Sequence, residues 1–427
     1  MVRVAPMVGL RRLLFAPRML VNLLNGFASG LPLLLTGSTL QAWLKDEQVP
    51  LEKIGLFALV GLPYTLKFLW APLFDRFVPP FLGRRRGWML MVQVAVTAAI
   101  LGLATSEPAT APWTVALLAL GLTFTSASQD IVLDAYRRES LPDQELGLGS
   151  SLFVTAYRLA MLVSGALALF LADRLPWRVV YLLMAVAMVV GILTTLLCHE
   201  PEVEGPPPRT LRESVVDPFV DFFSRDGALL MLAFILLYKI GDQMASSMTT
   251  PFILELGFTK TELAAVAKTF GMLAWIGGSV LGGLLMTRLS TARALWIFGV
   301  LQAAAILTFA GLAEVGKEFS VLALAIASEN FTAGMGNAAY ITYMAALTNK
   351  RFTATQYALF SSLMGVPRVF AAAPTGFMAR ELGWTGYFLI CAAAAIPGLL
   401  LLTKVAPWSA ASDAGTFEKS ESVVAKP

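Results

Sequence analysis

Apolar stretches of about 20 residues, each long enough to cross a hydrocarbon layer of roughly 30 Å as a helix, recur along the chain between short polar intervals. Their approximate limits are 19–44, 51–74, 88–105, 113–136, 147–172 and 177–198, then 228–254, 262–287, 292–312, 319–347, 354–379 and 384–405. This pattern predicts an all-α integral membrane protein with twelve transmembrane helices. Residues 1–198 and 228–405 would each contain six of them. The intervening 199–227 is too polar to span, and Pro206-Pro207-Pro208 cannot continue a helix. Leu211, Val215, Phe219 and Phe223 then recur every four residues among Arg212, Glu213, Asp217 and Asp221, which predicts an interfacial helix against the cytoplasmic face. The tail 406–427 is rich in Ser, Ala, Glu and Lys and is expected to be disordered.

The two halves echo each other faintly. Ala127-Ser128-Gln129-Asp130 is answered by Ala327-Ser328-Glu329-Asn330, and Leu152-Phe153 with Trp177 by Leu359-Phe360 with Trp384. Together with the span count, these matches favour two six-helix bundles around a central cavity.

Several spans carry polar residues on one side only. In the fourth, Thr123, Ser126, Gln129, Asp130, Asp134 and Arg137 fall within an arc of roughly 140° at about 100° per residue. An ionised group in hydrocarbon is costly, so such a face should look into water or into a bundle interior and is a candidate functional site. In the tenth span, Glu329, Thr332, Asn337, Tyr340 and Tyr343 share a similar arc, and its tyrosines suit either sugar contacts or packing. The first span spreads Asn22, Asn25, Ser29, Thr36, Thr39 and Gln41 among Gly26, Gly30, Pro32 and Gly37, a composition that serves close helix packing or a flexible gate. The second holds Tyr64 and, about midway, Lys67, which cannot easily reach either surface.

Arg158, Lys239, Lys268 and Arg368 extend the cationic set, and Asp130, Asp134, Asp242 and Glu329 oppose it. Lys239 and Asp242 are three apart on one helix and can neutralise each other. Lys67, Arg158 and Arg368 face few acidic partners, so the surplus of cations points to an anionic substrate. On Asp130 or Glu329, burial and a neighbouring cation act in opposite directions, as a group that takes up and releases a proton requires.

Composition agrees with the pattern: 57% of the 427 residues are hydrophobic and 14% charged, against about 25% charged in soluble domains. The cations also orient the chain. The amino-terminal arginines, Arg76 with Arg84, Arg85 and Arg86, Arg137 with Arg138, Arg288 with Arg293, and Lys350 with Arg351 lie on one side, which places both termini in the cytoplasm. No basic cluster with interleaved aromatics suggests nucleic acid, and no metal or cofactor is implied. Cys198, Cys391 and the lone His199 lack metal-ligand spacing, and both cysteines read as buried small hydrophobes.

The loop from Asp75-Arg76 to Gly83-Arg84-Arg85-Arg86-Gly87 resembles the signature loop of the major facilitator superfamily. It departs from the usual pattern in having Trp70 or Ala71 at the leading glycine and an insertion before Gly83. The resemblance implies that Asp75, Arg84 and Arg85 latch the cytoplasmic ends of neighbouring helices, with Asp134 and Arg137 as further gate residues.

A closer resemblance covers residues 18 to 405. Gly30-Leu31-Pro32 leading into Thr36-Gly37-Ser38-Thr39-Leu40-Gln41-Ala42-Trp43, Gly61-Leu62-Pro63-Tyr64-Thr65-Leu66-Lys67-Phe68-Leu69-Trp70-Ala71-Pro72, Tyr157-Arg158-Leu159-Ala160-Met161, Leu237-Tyr238-Lys239-Ile240-Gly241-Asp242 and Glu329-Asn330-Phe331-Thr332-Ala333-Gly334-Met335-Gly336 resemble the muropeptide permeases of Gram-negative bacteria, the AmpG family. The resemblance implies a major facilitator fold and a proton-driven importer in the inner membrane. Its cargo would be N-acetylglucosaminyl-1,6-anhydro-N-acetylmuramyl peptides, taken from the periplasm for cell-wall recycling by alternating access. Substrate contacts are expected from Lys67, Tyr64, Gln129, Arg158, Lys239, Tyr340 and Arg368, proton coupling from Asp130, Glu329 or Asp242, and a monomer surrounded by membrane lipids. Distant acetyl-CoA transporters keep another bulky anion in view. A non-transporting muropeptide sensor would need an output domain larger than 199–227 or the tail, and no nucleophile constellation suggests an enzyme.

Overall fold

The computed structural model describes residues 15–49, 57–202, 210–259, 262, 266–367, 371 and 374–406. Among these residues the regular structure is helical throughout, with no strand. Among the described residues, eight helices are long and apolar enough to cross a membrane: Pro17–Asp46, Arg84–Ala104, Pro112–Ser140, Asp143–Ala172, Trp177–Leu197, Ala228–Glu255, Thr291–Val315 and Thr375–Val405. The other four expected spans take different forms. Leu59–Leu69 and Met272–Leu285 are shorter apolar helices. Phe319–Leu347 has 29 residues but carries Glu329, Asn330 and Asn337, and Thr353–Leu363 has 11. Helix length and apolarity thus support eight crossings, and the count of twelve stands on the sequence pattern.

The chain divides into two compact units. The first is Met1–Pro218 with Thr348–Ser362, and the second is Phe219–Leu347 with Leu363–Pro427. In the first unit, Leu31, Leu35, Val96, Ile100, Leu122 and Met184 form a buried apolar core, and Trp43 stacks on Trp177 with ring centroids 6.1 Å apart. The helices Pro17–Leu35 and Asp143–Leu162 meet backbone to backbone. A Cβ on Gly26 would lie 2.1 Å from the carbonyl oxygen of Phe153, and one on Gly30 2.2 Å from that of Tyr157. Only glycine allows this approach, the small-residue packing the first span promised. In the second unit the core is aromatic, with Phe309 stacked on Phe388 at 5.2 Å and Phe252 against both.

Several helices are broken. Pro17–Leu35 gives way to Ser38–Asp46 at Thr36 and Gly37. The second span is fragmented into the 3₁₀ turn Phe57–Gly61, the helix Leu62–Leu66, a second 3₁₀ turn Lys67–Leu69 and the helix Ala71–Arg76. Pro63 and Pro72 each sit in the first turn of a fragment, where a missing N–H is tolerated, and neither could sit in a continuous helix without removing a hydrogen bond. In the second unit Ala228–Leu237 and Ile240–Glu255 are separate helices joined at Tyr238 and Lys239.

In the linker, Leu211–Val215 is capped by the Thr210 hydroxyl, which accepts from the Glu213 amide at 3.1 Å, and Asp217–Phe223 follows. The helix is therefore two short pieces rather than one. Val215, Val216, Val220 and Phe223 are exposed, whereas Ser214, Pro218 and Phe222, in the neighbouring register, are buried. The side chain of Leu211 and the whole tail 407–427 lie outside the described residues.

Candidate functional site

The polar face of the Pro112–Ser140 helix is built into the first unit by hydrogen bonds to two neighbouring elements. The Ser29 hydroxyl donates to Asp130 at 2.5 Å, and Gln129 Nε2 donates to the Ala28 carbonyl at 2.8 Å, fixing it to the Pro17–Leu35 helix. The Tyr64 phenol donates to Ser126 at 2.9 Å and Trp70 Nε1 to Ser128 at 3.0 Å, fixing it to the fragmented second span. Lys67 occupies the turn between those fragments, is buried, and forms no ion pair with a described carboxylate. It is the principal positive charge acting on Asp130. Arg158 is half-buried beside Tyr157 on the Asp143–Leu162 helix. The unit therefore gathers Tyr64, Lys67, Gln129 and Asp130 as the sequence suggested, with Gln129 held by Ala28 and only its buried Oε1 unpartnered. Arg368 lies outside the described residues, as does the side chain of Lys268.

A second cluster in the same unit joins the expected latch residues to Glu139, Glu200, Thr355 and Tyr357, which the sequence did not reveal. Arg85, fully buried, grips Glu139 with Nε at 2.8 Å and Nη2 at 2.5 Å, Asp75 with Nη2 at 2.8 Å, and the Phe74 carbonyl with Nη1 at 3.0 Å. Arg84 also reaches Glu139 at 3.1 Å. A buried guanidinium is tolerable only when its forked donors are matched in this way. Asp75 in turn accepts from the amides of Ala354 and Thr355 at 3.2 and 2.9 Å and from the Thr355 hydroxyl at 2.7 Å, an anion at the start of Thr353–Leu363. Glu200 caps another helix start, accepting from the amides of Arg85 and Arg86 at 2.7 and 2.8 Å. Arg137 bonds Asp134 at 2.8 Å and the Tyr357 hydroxyl at 2.9 Å, and lies over the Phe153 ring at 4.4 Å. Asp134 and Arg137 are thus paired with each other, and Arg137 is tied to Tyr357 as well.

In the second unit, Lys239 donates to Gln302 Oε1 at 3.0 Å and lies 3.5 Å from Asp242. Glu329 Oε2 accepts from Asn330 Nδ2 at 2.9 Å. Lys239 is thus engaged within its own unit. Tyr340 is fully buried, donates a hydrogen bond to the Ile235 carbonyl and stacks on Tyr238 at 5.5 Å.

Both thiols are buried and free, and desolvation pushes that of Cys198, just beyond the Trp177–Leu197 helix, above its ordinary range. Among the described residues no group of three or more His, Cys, Asp or Glu side chains could hold a metal.

Residues 18–372 match the Major Facilitator Superfamily. Over 393 residues the chain is 47% identical to the anhydromuropeptide permease of Escherichia coli K12, covering 92% of this chain and 80% of that protein. It is 33% identical over 387 residues to a putative transporter, AmpG 4, of Rickettsia conorii, covering 88% and 94% respectively. Among solved structures it is similar to the E. coli fucose:proton symporter FucP, with a TM-score of 0.69 at 11% identity, covering 92% of this chain and 99% of that one. The proton:xylose symporter XylE gives 0.68 at 12%, covering 91% and 95%. At such identities the likeness concerns the fold alone.

Proposed function

Since the chain belongs to the Major Facilitator Superfamily and, within it, to the family of the anhydromuropeptide permeases, we propose that it is a proton-coupled secondary transporter of anhydromuropeptides. It would carry N-acetylglucosaminyl-1,6-anhydro-N-acetylmuramyl peptides from periplasm to cytoplasm across the bacterial inner membrane by alternating access. Both termini would face the cytoplasm, and the protein would work as a monomer in lipid, with the exposed linker valines at the interface.

The observation that carries this reading is the charge balance of the first unit. Arg137 is paired with Asp134, and Lys67, buried beside Asp130, forms no ion pair with a described carboxylate. Lysine buried at a break in a helix, without an ion pair, is costly unless a ligand completes its surroundings. The stem peptide of a muropeptide supplies carboxylates that do so. Lys67, Arg158 and Arg368 are proposed for those carboxylates, Tyr64 and Gln129 for sugar or amide groups, and Asp130, Asp242 or Glu329 for the proton.

Vesicles from cells producing the chain should accumulate labelled anhydromuropeptide, and collapsing the proton gradient should abolish accumulation. Lys67→Gln removes a charge-assisted hydrogen bond worth about 1.5–3 kcal/mol and should raise KM by roughly 10- to 150-fold. Uptake no greater than in vesicles lacking the chain would sink the substrate assignment. Uptake indifferent to the gradient would sink the coupling, and an unchanged KM would remove Lys67 from the site.

A further inference from the structure

The second span carries its buried lysine where its own backbone supports it least. Lys67 opens the 3₁₀ turn Lys67–Leu69, and the Trp70 amide closes that turn on the Lys67 carbonyl at 3.4 Å, longer than an ordinary N–H···O bond. Pro72 has no N–H to offer the Phe68 carbonyl, so a continuous helical ladder cannot run through the turn. The lysine is buried and forms no ion pair with a described carboxylate. Its direction is therefore set from outside the turn.

Two side chains flanking Lys67 do this. Tyr64, on its amino-terminal side, donates its phenol hydrogen to Ser126 at 2.9 Å, and Trp70, on its carboxy-terminal side, donates Nε1–H to Ser128 at 3.0 Å. Both acceptors belong to the Pro112–Ser140 helix. At about 100° per residue, Ser126 shares one side of that helix with Asp130, and Ser128 shares the opposite side with Phe124. The Trp70 ring packs on Phe124 with centroids 4.8 Å apart, and the Ser128 hydroxyl donates to the Phe124 carbonyl at 2.8 Å, which leaves its lone pairs for the indole. The second span thus grips the helix from both sides, with Lys67 between the grips. Asp130 is held in turn by the Ser29 hydroxyl at 2.5 Å.

We propose that Trp70 and Ser128 are positioning residues: their hydrogen bond fixes the far end of the turn and so holds the Lys67 ammonium where a substrate carboxylate meets it. The inference rests on the transport reading above and adds to it two residues that touch no substrate. Neither is marked by the polar arc of the fourth span, since Ser128 lies outside that arc and Trp70 reads as an apolar span residue. A buried lysine chain has much rotamer freedom to lose, and an anchored backbone on both sides of it confines the charge to one place.

Uptake kinetics in vesicles and chemical labelling of the purified full-length chain in nanodiscs test this. Trp70→Phe keeps a ring on Phe124 and removes the N–H, and Ser128→Ala removes the same bond from the other partner. Each should raise KM for anhydromuropeptide about 3- to 10-fold with kcat within about twofold, and the double variant should go no further than the larger single. In a Lys67→Gln background Trp70→Phe should leave KM unchanged, because the group it positions is gone. Acylation of Lys67 by an amine-reactive ester, read by mass spectrometry without substrate, should quicken about 3- to 10-fold in both single variants while Lys239 reacts as before. A chain that takes up no muropeptide would remove the function proposed above and leave the labelling to judge the positioning. Three results would overturn the assignment: a KM unchanged in both single variants, an equal rise in the Lys67→Gln background, or Lys67 labelling that stays within about twofold or rises equally at Lys239.

Discussion

Asp75→Asn is the sharpest perturbation of the latch. The Asp75 carboxylate has no exposed surface and accepts four hydrogen bonds, from Arg85 Nη2, the amides of Ala354 and Thr355, and the Thr355 hydroxyl. Asparagine is nearly isosteric, but it offers one acceptor oxygen where there were two, and its NH₂ must then face a donor. Removing one partner of a buried ion pair costs about 3–5 kcal/mol when the survivor is left uncompensated. Glu139 still holds Arg85 through two bonds, so the loss should be smaller, about 2–3 kcal/mol, close to that of one charge-assisted hydrogen bond. At 1.4 kcal/mol per decade this is roughly a 30- to 150-fold shift in the local opening equilibrium. The readout is hydrogen exchange at the amides of Ala354 and Thr355, whose protection should fall by that factor while Val96 and Ile100 in the Arg84–Ala104 helix stay unchanged. Protection lowered less than about threefold, or lowered equally at all four sites, would refute the local latch. If the latched arrangement is an obligatory stage of the cycle, kcat falls as well, because the variant disfavours one of the states it must visit.

Three further substitutions test packing and capping. Gly26→Ala forces the Pro17–Leu35 and Asp143–Leu162 helices apart, since its Cβ would meet the Phe153 carbonyl; about 1–3 kcal/mol of destabilisation is expected, visible as a lower Tm in detergent. Glu200→Gln removes the anion from the start of Arg84–Ala104 and should cost about 0.5–2 kcal/mol, again measured by thermal unfolding. Gly83→Ala, at φ +89° and with Glu200 Cδ only 2.7 Å from the new Cβ, should destabilise the same cap by about 1–2 kcal/mol without changing the charge.

Much of this fold is legible in the sequence because apolar length and helical period are local properties. The polar arc around Asp130 and the close packing at Gly26 and Gly30 follow from such spacing. The latch is only half legible. Asp75, Arg84 and Arg85 lie in one recognisable loop, but Glu139 and Glu200 are 54 and 115 residues from Arg85 and read as surface charges beside ordinary span ends. Tyr340 is less legible. Its place on a polar arc suits a sugar contact or packing, because periodicity gives a direction and not a partner, and its hydroxyl donates to the Ile235 carbonyl. In the linker the four-residue spacing was real, but the buried register is Ser214, Pro218 and Phe222, so the apolar stripe at Val215 and Phe223 faces outwards.

The broken helices explain why the two central lysines sit where they do. Pro63 and Pro72 make the break at Lys67 predictable, whereas the break at Lys239 has no proline beside it and arises from tertiary contact. Gly241 closes to within 2.4 Å, by its missing Cβ, of the Cys391 carbonyl, and Gly398 similarly approaches Tyr238. Interrupting the helix there ends Ala228–Leu237 just before Lys239 and places Asp242 in the first turn of Ile240–Glu255. A cation at the carboxyl end of one helix and an anion at the amino end of the next are each favoured by the helix dipoles, by about 0.3–1 kcal/mol apiece. The backbone thus orders the pair as Lys239 then Asp242 and would disfavour the reverse.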